Sequence, residues 1–232
     1  MTFQQMTLNV TSRDGLQFDS FFETEENHDV VMRLKNFAET DQSSQVFIWG
    51  EMHSGKSHLL QACCYDATER GQRVSYLPLK ALGTYGTASA RGLEKMNLIV
   101  VDDVDLVVGN LDWEEALFDL INNSRISRQR LLFSASENPR HMECKLPDLS
   151  SRLIWGESYN LQSLSDQDKN NALRQRAAQR GLELNDRVLE YLNRHYPRDM
   201  GSMLTILDVI DEESLRKQSK ITVPFLKQVL DS

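Results

Sequence analysis

Gly50-Glu51-Met52-His53-Ser54-Gly55-Lys56-Ser57 meets every fixed position of G-x-x-x-x-G-K-[ST], a pattern that works only between a strand and a helix. Both flanks are present. Val46–Trp49 is a short apolar run entering the loop, and Leu59, Leu60, Cys63 and Cys64 carry a helical pattern out of it, which Gly71 closes. In that setting the glycines let backbone N–H groups turn inward around phosphate oxygens, at the positive end of the helix dipole. Gly50, Ser54, Gly55, Lys56, Ser57 and His58 are the candidate nucleotide-binding residues. Lys56 would reach the β and γ phosphates of ADP or ATP, and the Ser57 hydroxyl would bind Mg²⁺. The alternative is a glycine-rich turn with no ligand, which the flanking strand and helix disfavour.

A second segment complements the first. Leu98-Ile-Val-Val-Asp102-Asp103 is a buried-strand pattern ending in two carboxylates. Asp102 would hold the metal and Asp103 would orient an attacking water. Asp103 is one methylene shorter than the glutamate many such ATPases place there, so slow intrinsic hydrolysis is expected.

Val74–Leu79 and Leu131–Ser134 read as further strands. Trp113, Ala116, Leu117, Leu120 and Ile121 fall on one face of a helix between the last two strands. Continuous apolar strands separated by helices predict a parallel sheet covered on both faces. After Leu161 the pattern becomes helical. Ser165 caps a helix from Asp166 to about Arg180, and others are predicted near 185–195, 199–215 and 223–230, the last opened by Thr222 and Pro224. The chain divides into a segment 1–15, an α/β domain 16–160 and a small all-α domain 161–232. Gly83–Gly92 is small and polar and is expected to form a mobile surface loop.

Composition excludes several classes. The 232 residues are 40% hydrophobic and 26% charged, enough to bury a core. A net charge of −8 disfavours non-specific binding to nucleic-acid phosphates as the main activity. No apolar run approaches the roughly 18 residues of a membrane span, and no secretory signal pattern opens the sequence. Cys63, Cys64 and Cys144 form no C-x-x-C pair; three cysteines fit a reducing cytoplasm better than a disulfide framework. The adjacent Cys63 and Cys64 diverge by about 100° on a helix and do not share a metal easily. His53, His58 and His141 form no metal-ligand constellation with them. Trp49, Trp113 and Trp155 are expected to pack in the core or against the helical domain.

The phosphate loop, the following Leu59–Leu79 and the stretch Leu98–Asp105 together resemble the AAA+ replication-initiator family. Leu146–Gly156 looks like that family's box VII, and Tyr159–Lys169 and Ile221–Lys227 look closer to its shorter Hda branch, the DnaA regulatory inactivators, than to DnaA. The resemblance covers nearly the whole chain. It implies an AAA+ P-loop NTPase fold with a helical lid, and no room for a helix-turn-helix domain. It also makes Arg152 an arginine finger acting in trans on a DnaA initiator molecule. Gln5, Met6, Leu8 and Val10 would form a short peptide that binds the β sliding clamp of DNA polymerase III; on spacing alone the same residues also suit an edge strand. Asn27 resembles the asparagine near the nucleotide base, and Ser136 lies near the sensor 1 position. The sensor 2 arginine is missing: Gly201 stands there, with Arg198 three residues earlier as a substitute.

The function so implied is negative regulation of chromosomal replication initiation. A nucleotide-bound protein docks on the DNA-loaded clamp and stimulates ATP hydrolysis by DnaA, with a weak intrinsic ATPase at most. A homodimer or higher oligomer is compatible with it. The alternative is an independent ATPase or helicase loader of the DnaC/IstB kind; a DNA-sequence-reading initiator is disfavoured.

Overall fold

The computed structural model describes residues 16–40 and 44–230. Its element order is α1 (His28–Glu39), β1 (Gln45–Trp49), α2 (Lys56–Glu69), β2 (Val74–Pro78), α3 (Leu79–Leu82), β3 (Leu98–Asp102), α4 (Leu111–Ile126), β4 (Arg130–Ala135), α5 (Pro147–Leu153), β5 (Glu157–Asn160), α6 (Asp166–Gln179), α7 (Asp186–His195), α8 (Met200–Lys217) and α9 (Val223–Leu230).

The five strands form one sheet in the order β2-β3-β4-β1-β5, every pairing parallel. Strands β3 and β4 are buried along their whole length, the apolar runs Leu98–Val101 and Leu131–Phe133 together with the polar Asp102, Arg130 and Ser134. One face packs on α4 through Trp113, Leu117 and Ile121; the other packs on α1 and α2 through Leu34, Phe37, Leu59 and Leu60. The chain leaves β1 for β2 at the far edge and returns through β3 and β4, so the parallel strands β1, β3 and β4 present their carboxyl ends on one side of the sheet, the side on which α/β sheets bind ligands.

The helices after residue 161 have their own core, centred on Leu173, Val188, Leu192, Leu207, Ile210 and Leu226. Their starts follow from local chemistry. Ser165 accepts the backbone N–H of Asp168, Asn185 that of Val188 and Asp199 that of Ser202. Gly71, at φ +75°, ends α2 in the left-handed region.

Three details differ from the sequence reading. Gly83–Gly92 contains a 3-10 turn, Thr87–Ala90, with Ala90 buried in the core, and the Gly83 carbonyl accepts the indole N–H of Trp113 at 3.0 Å. Strand β5 lacks an apolar signature because its residues lie at the sheet edge, mostly exposed. Trp155 is not a core residue: it is 44% exposed, while Trp113 is buried.

Candidate functional site

The loop between β1 and α2 is shaped by two close approaches. A Cβ on Gly50 would lie 2.3 Å from the Leu161 carbonyl oxygen, and one on Gly55 would lie 2.8 Å from the Phe21 ring. Gly55 also has φ +102°, which L side chains rarely adopt. The loop is therefore walled by the start of the helical region on one side and by the segment before α1 on the other.

Within it, Ser54 is buried and its Oγ has no hydrogen-bond partner. Such orphaned polar atoms are rare in native interiors and mark a place where a polar ligand fits. Helix α2 starts without a side-chain cap, leaving its first N–H groups to a ligand or water. Lys56 is buried, and its Nζ donates to the carbonyls of Gly50 at 2.7 Å and Glu51 at 2.8 Å. Burial lowers its pKa, while the carboxylates of Asp103, Asp102 and Asp105 oppose that shift. An orphan hydroxyl, a buried ammonium and an open helix end suit a polyphosphate.

Asp102 ends β3 and is buried. Tyr76 on β2 donates its hydroxyl to Asp102 Oδ2 at 2.6 Å, and Ser134 on β4 donates its Oγ–H to Oδ1. The Ser134 oxygen in turn accepts the Asp103 N–H at 3.0 Å. This holds Asp103 at φ +59°, a left-handed conformation aspartate tolerates better than most residues. Burial first, then the Asp102 and Asp105 charges, raise the Asp103 pKa. Neighbouring strands thus fix the Asp102 carboxylate from both sides and the Asp103 backbone from the β4 side. Ser136 is exposed, two residues past the serine that makes these bonds. Among the described residues no cluster of three His, Cys, Asp or Glu side chains could enclose a metal. The Ser57 hydroxyl and the Asp102 carboxylate are oxygen donors of the kind that suits Mg²⁺, which takes one or two protein oxygens and completes its shell with phosphate and water. Burial disfavours the thiolate forms of the cysteines, pushing Cys64 up to about 12 and Cys144 to about 11, and raising Cys63.

The other candidates fall in distinct places. Asn27 is buried; its Oδ1 accepts the Thr24 N–H at 2.7 Å, so it braces the turn that carries Phe21 toward Gly55. His58 contacts the same segment, with Nε2 2.9 Å from the Gln17 carbonyl and 3.3 Å from Ser20 Oγ. Burial holds its pKa down to about 4, partly offset by the Gln17 bond and reinforced by the Arg176 charge. Arg198 donates to the Asn193 carbonyl at 3.0 Å and to Asp166 at 3.4 Å, both in the helical domain. A Cβ on Gly201 would come within 3.1 Å of His53 Nδ1, and His53 Nε2 lies 3.7 Å from Asp199. The place read as a missing arginine is thus where the phosphate loop meets the start of α8. Gln5, Met6, Leu8 and Val10 lie outside the described residues.

Arg152 sits in the last turn of α5, and three anchors fix its backbone. Gln45 donates to the Arg152 and Leu153 carbonyls at 2.9 and 3.1 Å. A Cβ on Gly156 would fall 2.1 Å from the Gln45 carbonyl oxygen, so only glycine fits the following turn. At the other end of α5, the buried Glu114 carboxylate accepts the Leu146 N–H at 2.6 Å, the Lys145 N–H at 3.1 Å and the Gly109 N–H at 2.7 Å. Among the described residues no carboxylate pairs with the Arg152 guanidinium. Sequence reasoning missed Tyr76, Ser134, Glu114 and Gln45, which carry no motif of their own and act only once the strands are ordered.

Comparison with known proteins matches residues 13–160 to the bacterial DnaA ATPase domain and residues 166–230 to the Hda lid domain. Among solved structures, domain III of the Thermotoga maritima replication initiation protein DnaA superposes with a TM-score of 0.76 at 18% identity, covering 93% of this chain and 95% of that one. AMPPCP-bound DnaA from Aquifex aeolicus gives 0.68 at 20% identity, covering 88% and 68%. The Thermotoga maritima RuvB Holliday junction branch migration motor gives 0.67 at 13% identity, covering 94% and 73%. These structural likenesses establish the fold.

Proposed function

This chain belongs to the bacterial DnaA ATPase domain family and carries an Hda lid domain, and from that premise we propose that it binds ADP or ATP and switches off ATP-bound DnaA by supplying Arg152 to the initiator's nucleotide. The AAA+ fold and the two matches place it among regulators of replication initiation. The loop 50–57 would hold the phosphates on the α2 N–H groups, Ser54 and Lys56, with Ser57 and Asp102 holding Mg²⁺. Bound there, the metal would neutralise phosphate charge.

The observation that carries the regulatory reading is the state of Arg152. It is fixed at the end of α5 by Gln45 and Gly156, yet no carboxylate neutralises it among the described residues. A guanidinium so placed suits the developing charge of a γ-phosphoryl group on a neighbouring molecule, where a finger supplied in trans accelerates hydrolysis by ~10³–10⁵. Docking on the β sliding clamp through Gln5, Met6, Leu8 and Val10 would bring the two proteins together on DNA.

The test is ATP hydrolysis by DnaA with DNA-loaded clamp, adding this protein as wild type, as Gln5→Ala/Leu8→Ala, or as Arg152→Ala. Stimulation by wild type and its loss in both variants is expected. Hydrolysis by this chain alone, with no effect on DnaA, would instead identify an independent ATPase or helicase loader.

A further inference from the structure

Arg152 has an unusual environment for a surface arginine. Its Cζ lies 3.7 Å from the centroid of the Trp155 ring, and Arg125, in the last turn of α4, places its own Cζ 3.9 Å from the same centroid. Two guanidinium groups cannot share one face of an indole at those distances, so they occupy opposite faces. Phe118 adds a second ring, its centroid 5.5 Å from the Arg152 Cζ. Trp155 is 44% exposed, so burial alone does not account for its position. The backbone does: the Trp155 N–H bonds the Arg152 carbonyl at 3.2 Å, closing a turn that sets the two side chains side by side. The Arg152 Nε is buried and has no hydrogen-bond partner.

We propose that Trp155, backed by Arg125, is the positioning residue of the finger: it orients the Arg152 guanidinium through its ring face while leaving the terminal Nη donors free for a neighbour's polyphosphate. This rests on the trans-acting role of Arg152 given above. A carboxylate would hold the arginine as firmly, but it would occupy the bidentate fork and cancel the charge to be delivered. The π face attracts a cation without using an N–H. It also restricts the rotamers of a long side chain before the partner arrives, so less freedom is lost in the transition state. Arg125 holds the indole from behind. Among the described residues no ion pair ties either guanidinium to a carboxylate, so the Arg152 charge is left for an arriving polyphosphate.

Cation–π contacts of this kind correspond to roughly a three- to thirtyfold change in rate. In the DnaA hydrolysis assay, Trp155→Leu is expected to lower the maximal stimulated rate by that factor, with the half-saturating concentration of this protein unchanged within about twofold. Trp155→Phe, which keeps a π face, should recover most of the rate. Arg125→Gln combined with Trp155→Leu should be no worse than Trp155→Leu alone, because Arg125 acts through the indole. An ADP-induced thermal shift equal to wild type confirms that each variant is folded; if Trp155→Leu is not, Arg125→Gln carries the test through a reduced maximal rate, with Trp155→Phe near wild type as its control. A wild-type maximal rate for Trp155→Leu overturns the proposal, as does a rise in half-saturating concentration alone, which would make Trp155 a docking contact. A phenylalanine variant no better than leucine overturns it too. If Arg152→Ala stimulates like wild type, the finger reading itself fails; if Arg152→Ala is inactive while Trp155→Leu is fully active, only the positioning role fails.

Discussion

His58 shows how a single side chain can tie the phosphate-loop helix to the segment before α1. Its imidazole is held near the Gln17 carbonyl, edge-on to Phe21 at 5.3 Å, and burial keeps it neutral down to a pKa of about 4. In the unfolded chain it takes up a proton near pH 6.5. Between those values the unfolded state binds more protons, so this group makes stability rise with pH across the window and fall on acidification. The expected loss from pH 7 to pH 5 is about 2 kcal/mol. Unfolding free energies from urea titrations at the two pH values should show a wild-type drop that exceeds the drop for His58→Gln by that amount. Equal drops would mean that the imidazole is as easily protonated in the fold as outside it.

Helix α5 is only seven residues long, too short to hold itself in water, and it depends on its ties. Glu114 supplies the main one, accepting three backbone N–H groups of the chain around it while fully buried. Glu114→Ala leaves those donors without a partner and is expected to cost about 3 kcal/mol, read from the urea midpoint, and to weaken stimulation of DnaA. An unchanged midpoint would show that α5 is held by its apolar contacts alone. The same element shows where the sequence was legible and where it was not. Strands β1, β3 and β4 and helices α6 to α9 announce themselves through local apolar period and capping residues. Strand β5, with Glu157 and Asn160 exposed, is defined only by its pairing with β1. The phosphate loop, Asp102 and Arg152 could be found from motifs. Tyr76 and Ser134 could not, because they meet Asp102 only through the strand order β2-β3-β4, which a linear reading does not supply.

At the scale of the molecule, the phosphate loop joins the two parts of the chain. Phe21 and Leu161 close it from either side, and His53 reaches the start of α8. A nucleotide seated there would bind the folded chain alone and stabilise it by mass action. ADP at a hundredfold excess over its Kd should add about 2.7 kcal/mol, and differential scanning should place that shift near 5–10 °C for a chain of this size. Lys56→Ala should abolish the shift without lowering the ligand-free transition by a comparable amount; a shift that persists would move the phosphates elsewhere.

The close approach of Gly50 to the Leu161 carbonyl also sets an order of events during synthesis. The phosphate loop is translated early, but β4, which flanks its strand, and Leu161, which forms its wall, emerge much later. A nascent chain on the ribosome therefore carries the motif long before it carries the site. A nucleotide bound by this loop would find its walls complete only once the sheet has closed around β1, so it would stabilise chains that have completed folding rather than template the early stages.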